Sequence, residues 1–270
     1  MPRNYIKVDR KEGYILGIKI SITSKEEVLN FVNLRLENKE KFYIVTPNPE
    51  NLLLATKDWL LAKAIRRSDL SIPDGIGLKF AYNFLYKKDI EIIKGRELFF
   101  DIMKIADERK LRVYLFGGEN GEQTKSKEIL EQKYNNVVFK THHQFPQYSK
   151  NCQPATVSDR KMHKSIVGGI KLFEPDLIFV AMNTPKQEKW IYRNFFRLTN
   201  VTGAMTVGGT FNYIAGNMKL PPKWMEKMGL EWVYRFIQEP KRWRRILNAV
   251  IIFPWRVFKW KLDPPKRLSK

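Results

Sequence analysis

Ser68-Asp69-Leu70-Ser71-Ile72-Pro73-Asp74-Gly75-Ile76-Gly77-Leu78 is the stretch from which the fold is read. Leu70 and Ile72 read as the end of a buried strand, and Pro73 stops it because proline has no N–H to give to a ladder. Asp74 follows, and an apolar helical pattern of Ile76, Phe80 and Phe84 begins. A carboxylate at the C-terminal end of a strand, beside glycines (Gly75, Gly77) that let a ligand approach the backbone, sits where open α/β sheets bind ligands. Asp74 also reads as the N-cap of the next helix, since Asp is a favoured cap. The local pattern leaves both readings open.

The same unit recurs outward from this point. Upstream, residues 42–45 read as a buried strand ending in Thr46-Pro47-Asn48-Pro49-Glu50, with residues 51–67 helical after it. Before that, residues 14–20 read as a short strand. Ser24-Lys25-Glu26-Glu27 is a capping box that opens a helix to about residue 38, with Val28, Phe31, Val32 and Leu36 on one face. Downstream, Lys94-Gly95 opens a helix, and residues 112–116 form a strand that ends in Gly117-Gly118 before another helix. That strand–Gly-Gly–helix turn reads either as a phosphate-binding turn or as an ordinary connection. Residues 176–181 form a strand ending in Asn183-Thr184-Pro185-Lys186-Gln187-Glu188, and residues 205–207 form a strand ending in Gly208-Gly209. The alternation predicts an α/β core over residues 1–216, a Rossmann-like parallel sheet flanked by helices, with its polar strand ends gathered on one edge.

The chain of 270 residues is 43% hydrophobic, enough for a sizeable core, and carries a formal net charge of +21. So large a charge points to an anionic partner: nucleic acid, a membrane surface or phosphate-bearing substrates. Cys152 is the sole cysteine, which excludes an intrachain disulfide and suggests a reducing compartment. The first residues lack a signal-peptide core, and no run approaches the ~18–20 apolar residues a span needs. The expected location is therefore cytoplasmic, including the inner face of a membrane. Residues 141–159, with His142, His143 and Cys152, read as a mobile surface loop. Adjacent histidines lack the spacing of a helical metal site, so no metal is expected there.

Composition shifts near residue 217. From there on, 14 Lys/Arg face 4 Asp/Glu, so one fifth of the chain holds about half of the net charge. Trp243, Trp255, Trp260, Phe253 and Phe258 are interleaved with Arg256, Lys259 and Lys261. Tryptophan and basic residues beside a short apolar run suit a segment lying on an anionic bilayer. A nucleic-acid face shares the charge and the aromatics, but residues 246–253 are too apolar for one. A plain helical cap on the core is the third reading. Residues 217–270 are thus expected to form a basic helical appendage.

The chain has no dinucleotide GxGxxG, no P-loop and no Asp-x-Asp pair to hold a metal on a diphosphate. A departing diphosphate would have to be met by Arg, Lys and helix N-termini. Taken together, Thr46-Pro47-Asn48-Pro49-Glu50, Pro73-Asp74-Gly75-Ile76-Gly77, Leu115-Phe116-Gly117-Gly118, Thr184-Pro185-Lys186-Gln187-Glu188, Val207-Gly208-Gly209-Thr210-Phe211 and Gly229-Leu230-Glu231-Trp232…Arg235…Gln238-Glu239-Pro240 resemble, in order, the WecG/TagA/CpsF glycosyltransferases. The resemblance implies an inverting, metal-independent transfer of a hexosamine-type sugar, such as N-acetylmannosamine, from a UDP-sugar. The implied acceptor is a polyprenyl-diphosphate-linked N-acetylglucosamine, in teichoic acid or other cell-surface polysaccharide synthesis. It also implies that the appendage docks on the membrane and completes the site. Asp74 matches the general base. Thr46 matches the threonine beside it, and Asn48, Gly75, Gly117, Gly118, Gln187, Gly208 and Gly209 fall in the substrate-binding motifs. Arg235, Arg242 and Arg245 match basic residues that meet diphosphate charge. Asn183, Asn212 and Glu97 depart from the family's usual Gly, Asp and Asp. Transfer of another UDP-hexose such as glucose, or a basic nucleic-acid-binding α/β protein, are the competing readings. A homo-oligomer is compatible with the sequence, and nothing in it selects a contact.

Overall fold

A computed structural model of the chain describes residues 11–118 and 121–263. It opens with β1 (Lys11–Ile15) and β2 (Ile18–Ile22), an antiparallel hairpin in place of the single strand expected over residues 14–20. Leu16 and Gly17 turn the chain, both at positive φ (+53° and +76°). Such a two-residue hairpin turn needs two left-handed residues, and Leu-Gly lacks the usual Asn-Gly signal. In α1 (Lys25–Glu37) the Ser24 hydroxyl accepts the Glu27 N–H while the Glu27 carboxylate accepts the Ser24 N–H. Val28, Phe31, Val32 and Leu36 are its buried face.

The core then alternates: β3 (Phe42–Val45), α2 (Pro49–Ala55), α3 (Trp59–Arg67), β4 (Leu70–Ser71), α4 (Ile76–Tyr86), α5 (Gly95–Glu108), β5 (Arg112–Gly117), α6 (Glu122–Lys133), β6 (Val138–Lys140), α7 (Val157–Phe173), β7 (Leu177–Ala181), α8 (Lys186–Asn194), β8 (Gly203–Thr206) and α9 (Thr210–Ile214). The single helix expected over residues 51–67 is broken, because Asp58 accepts the Leu61 N–H and starts α3 afresh. Among the described residues β3–β8 form one six-stranded sheet in the order β4-β3-β8-β7-β5-β6, with every neighbouring pair parallel. The expected α/β class holds. Helices cover both faces, so the central strands read as unbroken apolar runs, Phe-Tyr-Ile-Val and Leu-Ile-Phe-Val-Ala. Alternate side chains enter two cores. Tyr43, Val45, Phe116 and Val180 pack with α2, α3 and α8, while Phe42, Ile44, Leu115 and Phe179 pack with α1 and α5.

The chain fills this sheet from β3 outward to β4, crosses to β5 and β6, and returns through β7 and β8. The C-terminal ends of β4, β3, β8, β7 and β5 therefore stand side by side, although they come from strands far apart in the chain. Such an edge is where an open parallel sheet receives a ligand.

Residues 141–159, expected as a mobile surface loop, are largely exposed but anchored by buried side chains, and the last three begin α7. Tyr148 and Cys152 enter the core, Tyr148 Oη and His163 Nδ1 lie 2.9 Å apart, and the buried Lys189 ammonium donates to the Lys150 carbonyl at 2.8 Å. His142 lies among Tyr114, Phe116 and Phe145. Aromatic and apolar residues inside a polar segment secure it, which a reading by average polarity overlooks.

Beyond α9 the tail forms α10 (Lys223–Lys227), α11 (Glu231–Gln238) and α12 (Trp243–Leu247). A π-helical turn (Asn248–Ile252) joins α12 to α13 (Phe253–Leu262) without a break. Phe253 and Val257 of α13 are buried in the same core cluster as α2 and α4 residues. Among the described residues no helix is long and apolar enough to cross a membrane.

Candidate active site

Asp74 is held by its backbone: its N–H donates to the Pro47 carbonyl at 2.9 Å, tying the loop after β4 to the loop after β3. It does not cap α4. The cap position is Gly75, at φ +101°, with no side-chain capping bond, so the capping alternative falls away. The Asp74 carboxylate instead accepts the N–H of Gly95, the first residue of α5. Burial pushes this carboxyl up to about 6; Arg235, the Gly95 N–H and Lys94 pull it back, and Glu231 adds to the rise. A side chain on Gly95 would meet the Thr46 hydroxyl at 3.0 Å, which is why α5 begins with a residue lacking a Cβ.

A cleft opens over these loops. Its walls include Thr46 and Asn48 after β3, Asp74 after β4, Gly118 after β5, Asn183, Thr184 and Gln187 after β7, and Gly208 and Gly209 after β8. The tail closes it with Glu231, Arg235 and Arg245. Asn183 and Asn212, two of the positions that depart from the family pattern, also line it.

The structure gives several of these residues other tasks than the sequence suggested. Gly75 and Gly117 are not among the cleft-lining residues. A Cβ on Gly117 would stand 2.1 Å from the Ala181 carbonyl oxygen, so this glycine serves the close approach of β5 to β7. The Gly118 N–H donates to that same carbonyl at 2.7 Å, so the turn does not present this donor to a phosphate. Asn48 caps α2, its Oδ1 accepting the Asn51 N–H at 3.1 Å. Thr46 is buried; its N–H donates to the Thr206 hydroxyl and its own hydroxyl to the Thr206 carbonyl.

Gln187 is buried and engaged at both ends of its amide. Oε1 accepts the Gly208 N–H at 2.9 Å, and Nε2 donates to Glu188 Oε1 at 2.9 Å. Glu188 Oε1 also accepts from Asn51 Nδ2 at 3.0 Å. Burial raises the proton affinity of Glu188, and the amide of Gln187 opposes that most among its neighbours. Gln187 thus spends its hydrogen bonds on the loop after β8 and on Glu188, which is a shaping role rather than a free ligand contact. Sequence reading quoted Glu188 but gave it no task; its signal was a carboxylate directly beside a cleft glutamine.

Arg235 reaches the cleft from α11. Its Nε donates to the Tyr213 hydroxyl at 3.0 Å, and its guanidinium lies 5.6 Å from the Tyr213 ring centroid. Arg96 faces the same ring at 5.3 Å. Lys94 bridges Glu226 and Glu231, and Arg96 pairs with Glu226 at 3.1 Å, so the start of α5 clasps α10 and α11. Arg245 donates from Nε to both oxygens of Glu50, at 2.8 and 2.9 Å. Arg242 lies in the 3-10 turn after α11, and its side chain is outside the described residues. Lys94, Arg96 and Tyr213 escaped sequence reading, because their partners lie more than a hundred residues away or on a different helix.

Among the described residues no three His, Cys, Asp or Glu side chains gather as a metal-ligand set. His142 is buried among aromatic rings and its pKa is pushed down to about 4, mainly by burial and secondarily by His143. Among the described residues the cleft thus holds Asp74, a carboxylate with raised proton affinity, in a mixed lining of Lys94, Arg96, Arg235 and Arg245 with Glu122, Glu231 and Glu239. It suits removal of a proton beside an anionic ligand.

The family model described as the glycosyl transferase WecG/TagA/CpsF family matches residues 14–267. The chain is 31% identical, over 264 residues, to an N-acetylglucosaminyldiphosphoundecaprenol N-acetyl-beta-D-mannosaminyltransferase of Staphylococcus aureus strain MW2. That match covers 96% of this chain and 94% of the relative. The counterpart in strain NCTC 8325 / PS 47 matches with the same identity and coverage.

Proposed function

The chain belongs to the WecG/TagA/CpsF family of glycosyl transferases, and on that footing we propose that it transfers an N-acetylmannosamine-type sugar from a UDP-sugar to N-acetylglucosaminyl-diphospho-undecaprenol. The reaction inverts the anomeric centre and needs no metal. The observation that carries this reading is the meeting of Asp74 and Arg235 at the ends of five adjacent parallel strands.

Asp74 takes the proton of the acceptor hydroxyl as that oxygen attacks the anomeric carbon. The bond from that carbon to the UDP oxygen breaks on the opposite face, and UDP leaves with the electron pair. A carboxyl at about 6 is ionised at neutral pH, yet is a better proton acceptor than an ordinary aspartate. The charge on the departing diphosphate is met by Arg235, Arg245 and Arg242 of the tail and by Arg96 of the core. Thr46 and Asn48 border the acceptor side, and the Gly208-Gly209 turn, shaped by Gln187, borders the donor.

Residues 217–270 act as the appendage that brings the protein to its lipid-linked substrate, on the cytoplasmic face of the membrane. Support comes from exposed Trp243 and Trp255 beside Arg244 and Lys259, an arrangement suited to an anionic interface. The products serve teichoic acid or a related cell-surface polysaccharide.

UDP release tests the reading directly. The protein is mixed with a synthetic N-acetylglucosaminyl-diphospho-lipid and a panel of UDP-sugars, with and without EDTA. UDP-glucose belongs in the panel, because Asn183 and Asn212 depart from the family pattern inside the cleft. The expected result is lipid-dependent release with UDP-N-acetylmannosamine, unchanged by EDTA. Release that EDTA abolishes overturns metal independence, and no lipid-dependent release with any donor overturns the reaction.

A further inference from the structure

Helix α4 carries an anomaly. Its inward face is Leu78, Ala81 and Tyr82, all buried. Ile76, Phe80 and Phe84, the pattern that first signalled the helix, lie one turn apart on the other side. They are 39%, 66% and 36% exposed. A soluble helix normally turns such a stripe inward, and an exposed contiguous apolar patch marks an interaction surface. This patch also continues onto the tail. Phe84 and Phe258 have ring centroids 6.3 Å apart, Phe258 stacks on Trp255 at 6.0 Å, and Ile251, Trp255 and Leu262 are exposed. At the opposite end, Ile76 abuts Gly229, where an added Cβ would meet its methyl at 2.9 Å. Two parts of the tail, at Gly229 and at α13, therefore frame α4.

The surrounding charge fits one occupant. Lys261 donates to the Phe84 carbonyl and lies over the Phe84 ring at 4.1 Å, and Lys259 lies over Trp255 at 5.2 Å. Lys79, Lys87 and Lys88 stand on or just after α4. Asp89 is the acid beside them, 3.7 Å from Lys79 and bonded to Asn83. Apolar rings with ammonium groups at their rim match an anionic lipid surface.

We propose that α4 is a membrane-docking element of the catalytic core itself, its Ile76–Phe80–Phe84 stripe entering the interfacial layer of an anionic bilayer beside α13. This inference rests on the reading of a lipid-linked acceptor and adds a second, core-borne anchor. Asp74 stands two residues before the first residue of α4, so seating α4 in the interface sets the carboxylate at headgroup level, where a lipid-linked diphosphate lies. The tail alone would hold the protein near the membrane without fixing that height.

The test uses the full chain with Phe80→Cys, labelled with an environment-sensitive dye; Cys152 is 3% exposed and stays unlabelled. The probe is vesicles of mixed phosphatidylglycerol and phosphatidylcholine, with and without nitroxide-bearing lipid. The expected result is a blue shift and nitroxide quenching at position 80, with neither at a label on Leu172→Cys, an exposed position at the C-terminal end of α7, which leads into the N-terminal end of β7, opposite the cleft. Phe80→Ser, at a side chain 66% exposed, is expected to weaken vesicle binding about tenfold at an unchanged melting temperature. A water-like label on vesicle-bound protein overturns the proposal, as does the same blue shift arising from self-association without lipid. UDP release on a detergent-dispersed short-chain acceptor separates the two readings. Docking without release sinks the reaction and leaves the anchor, whereas release without a shift at position 80 sinks the anchor alone.

Discussion

Arg235 of the tail donates its Nε–H to the hydroxyl of Tyr213 at 3.0 Å, and both residues line the cleft that holds the carboxylate of Asp74. The tail's cation is thus positioned by a core tyrosine, and the cleft has its full set of charges only when α11 is docked. Tyr213→Phe keeps the ring and removes the acceptor. Leaving a buried charged donor short of one partner costs about 1–3 kcal/mol. We expect kcat/KM for UDP release to fall about tenfold, near 1.4 kcal/mol, while the melting temperature stays close to wild type.

Asp74→Asn removes the proton acceptor and keeps the shape. Turnover should drop about 10²–10⁴-fold, the usual contribution of a general base. Circular dichroism and UDP-sugar binding should be unchanged. Transfer at near the wild-type rate would exclude Asp74 as the base.

The pH dependence follows from the same group. Asp74 titrates at about 6, and the base works ionised, so kcat/KM should fall tenfold per unit as pH drops below that value. Arg235 holds this value down, so Arg235→Gln should move the acid limb to higher pH. A limb that stays in place in the variant would separate the two residues.

Gln187 and Glu188 make contrasting predictions. Gln187→Leu strands the Gly208 N–H and removes a donor from Glu188, so it should cost about 1–3 kcal/mol in urea denaturation and raise the KM for the UDP-sugar. Glu188→Gln keeps the oxygen that accepts from Asn51 and Gln187, and should leave both measurements near wild type.

His142 has neither ring nitrogen bonded among the described residues, and it titrates near 4 in the folded chain against 6.5 unfolded. Between those values the unfolded state binds the extra proton, so stability declines as pH falls from 6.5 towards 4. The loss is on the order of 3 kcal/mol at most. His142→Phe should match or exceed wild-type stability at pH 7 and should flatten this decline, read by thermal melts across pH.

Much of the fold was legible because it is written in short-range pattern. The capping box at Ser24, the all-apolar runs at Phe42 and Leu177, and the polar or glycine-rich strand ends each follow from local periodicity and backbone chemistry. Local pattern placed Thr46 and Asp74 at strand ends, and both line the cleft; the roles expected of them came from the family resemblance. What escaped has equally specific causes. The Leu16-Gly17 turn lacks its usual residues. The break at Asp58 looks like any acidic position in a helix. The Gly117-Gly118 pair reads equally as a phosphate turn or an ordinary connection, and the Ala181 carbonyl, which takes the Gly118 N–H, favours the second.

The amino-acid sequence by itself determined the α/β class and the basic aromatic composition of the tail, since these depend on residue type and near-neighbour spacing; it placed Asp74 at a strand end, and the role of base came from the family resemblance. Only the tertiary structure decided the strand order, the pairing of Arg235 with Tyr213, the occupied amide of Gln187 and the outward face of α4. Helical periodicity marks an apolar stripe, but it does not say what the stripe faces. That is settled by which elements pack together, and Leu78, Ala81 and Tyr82 took the core side of α4, leaving Phe80 to the surface.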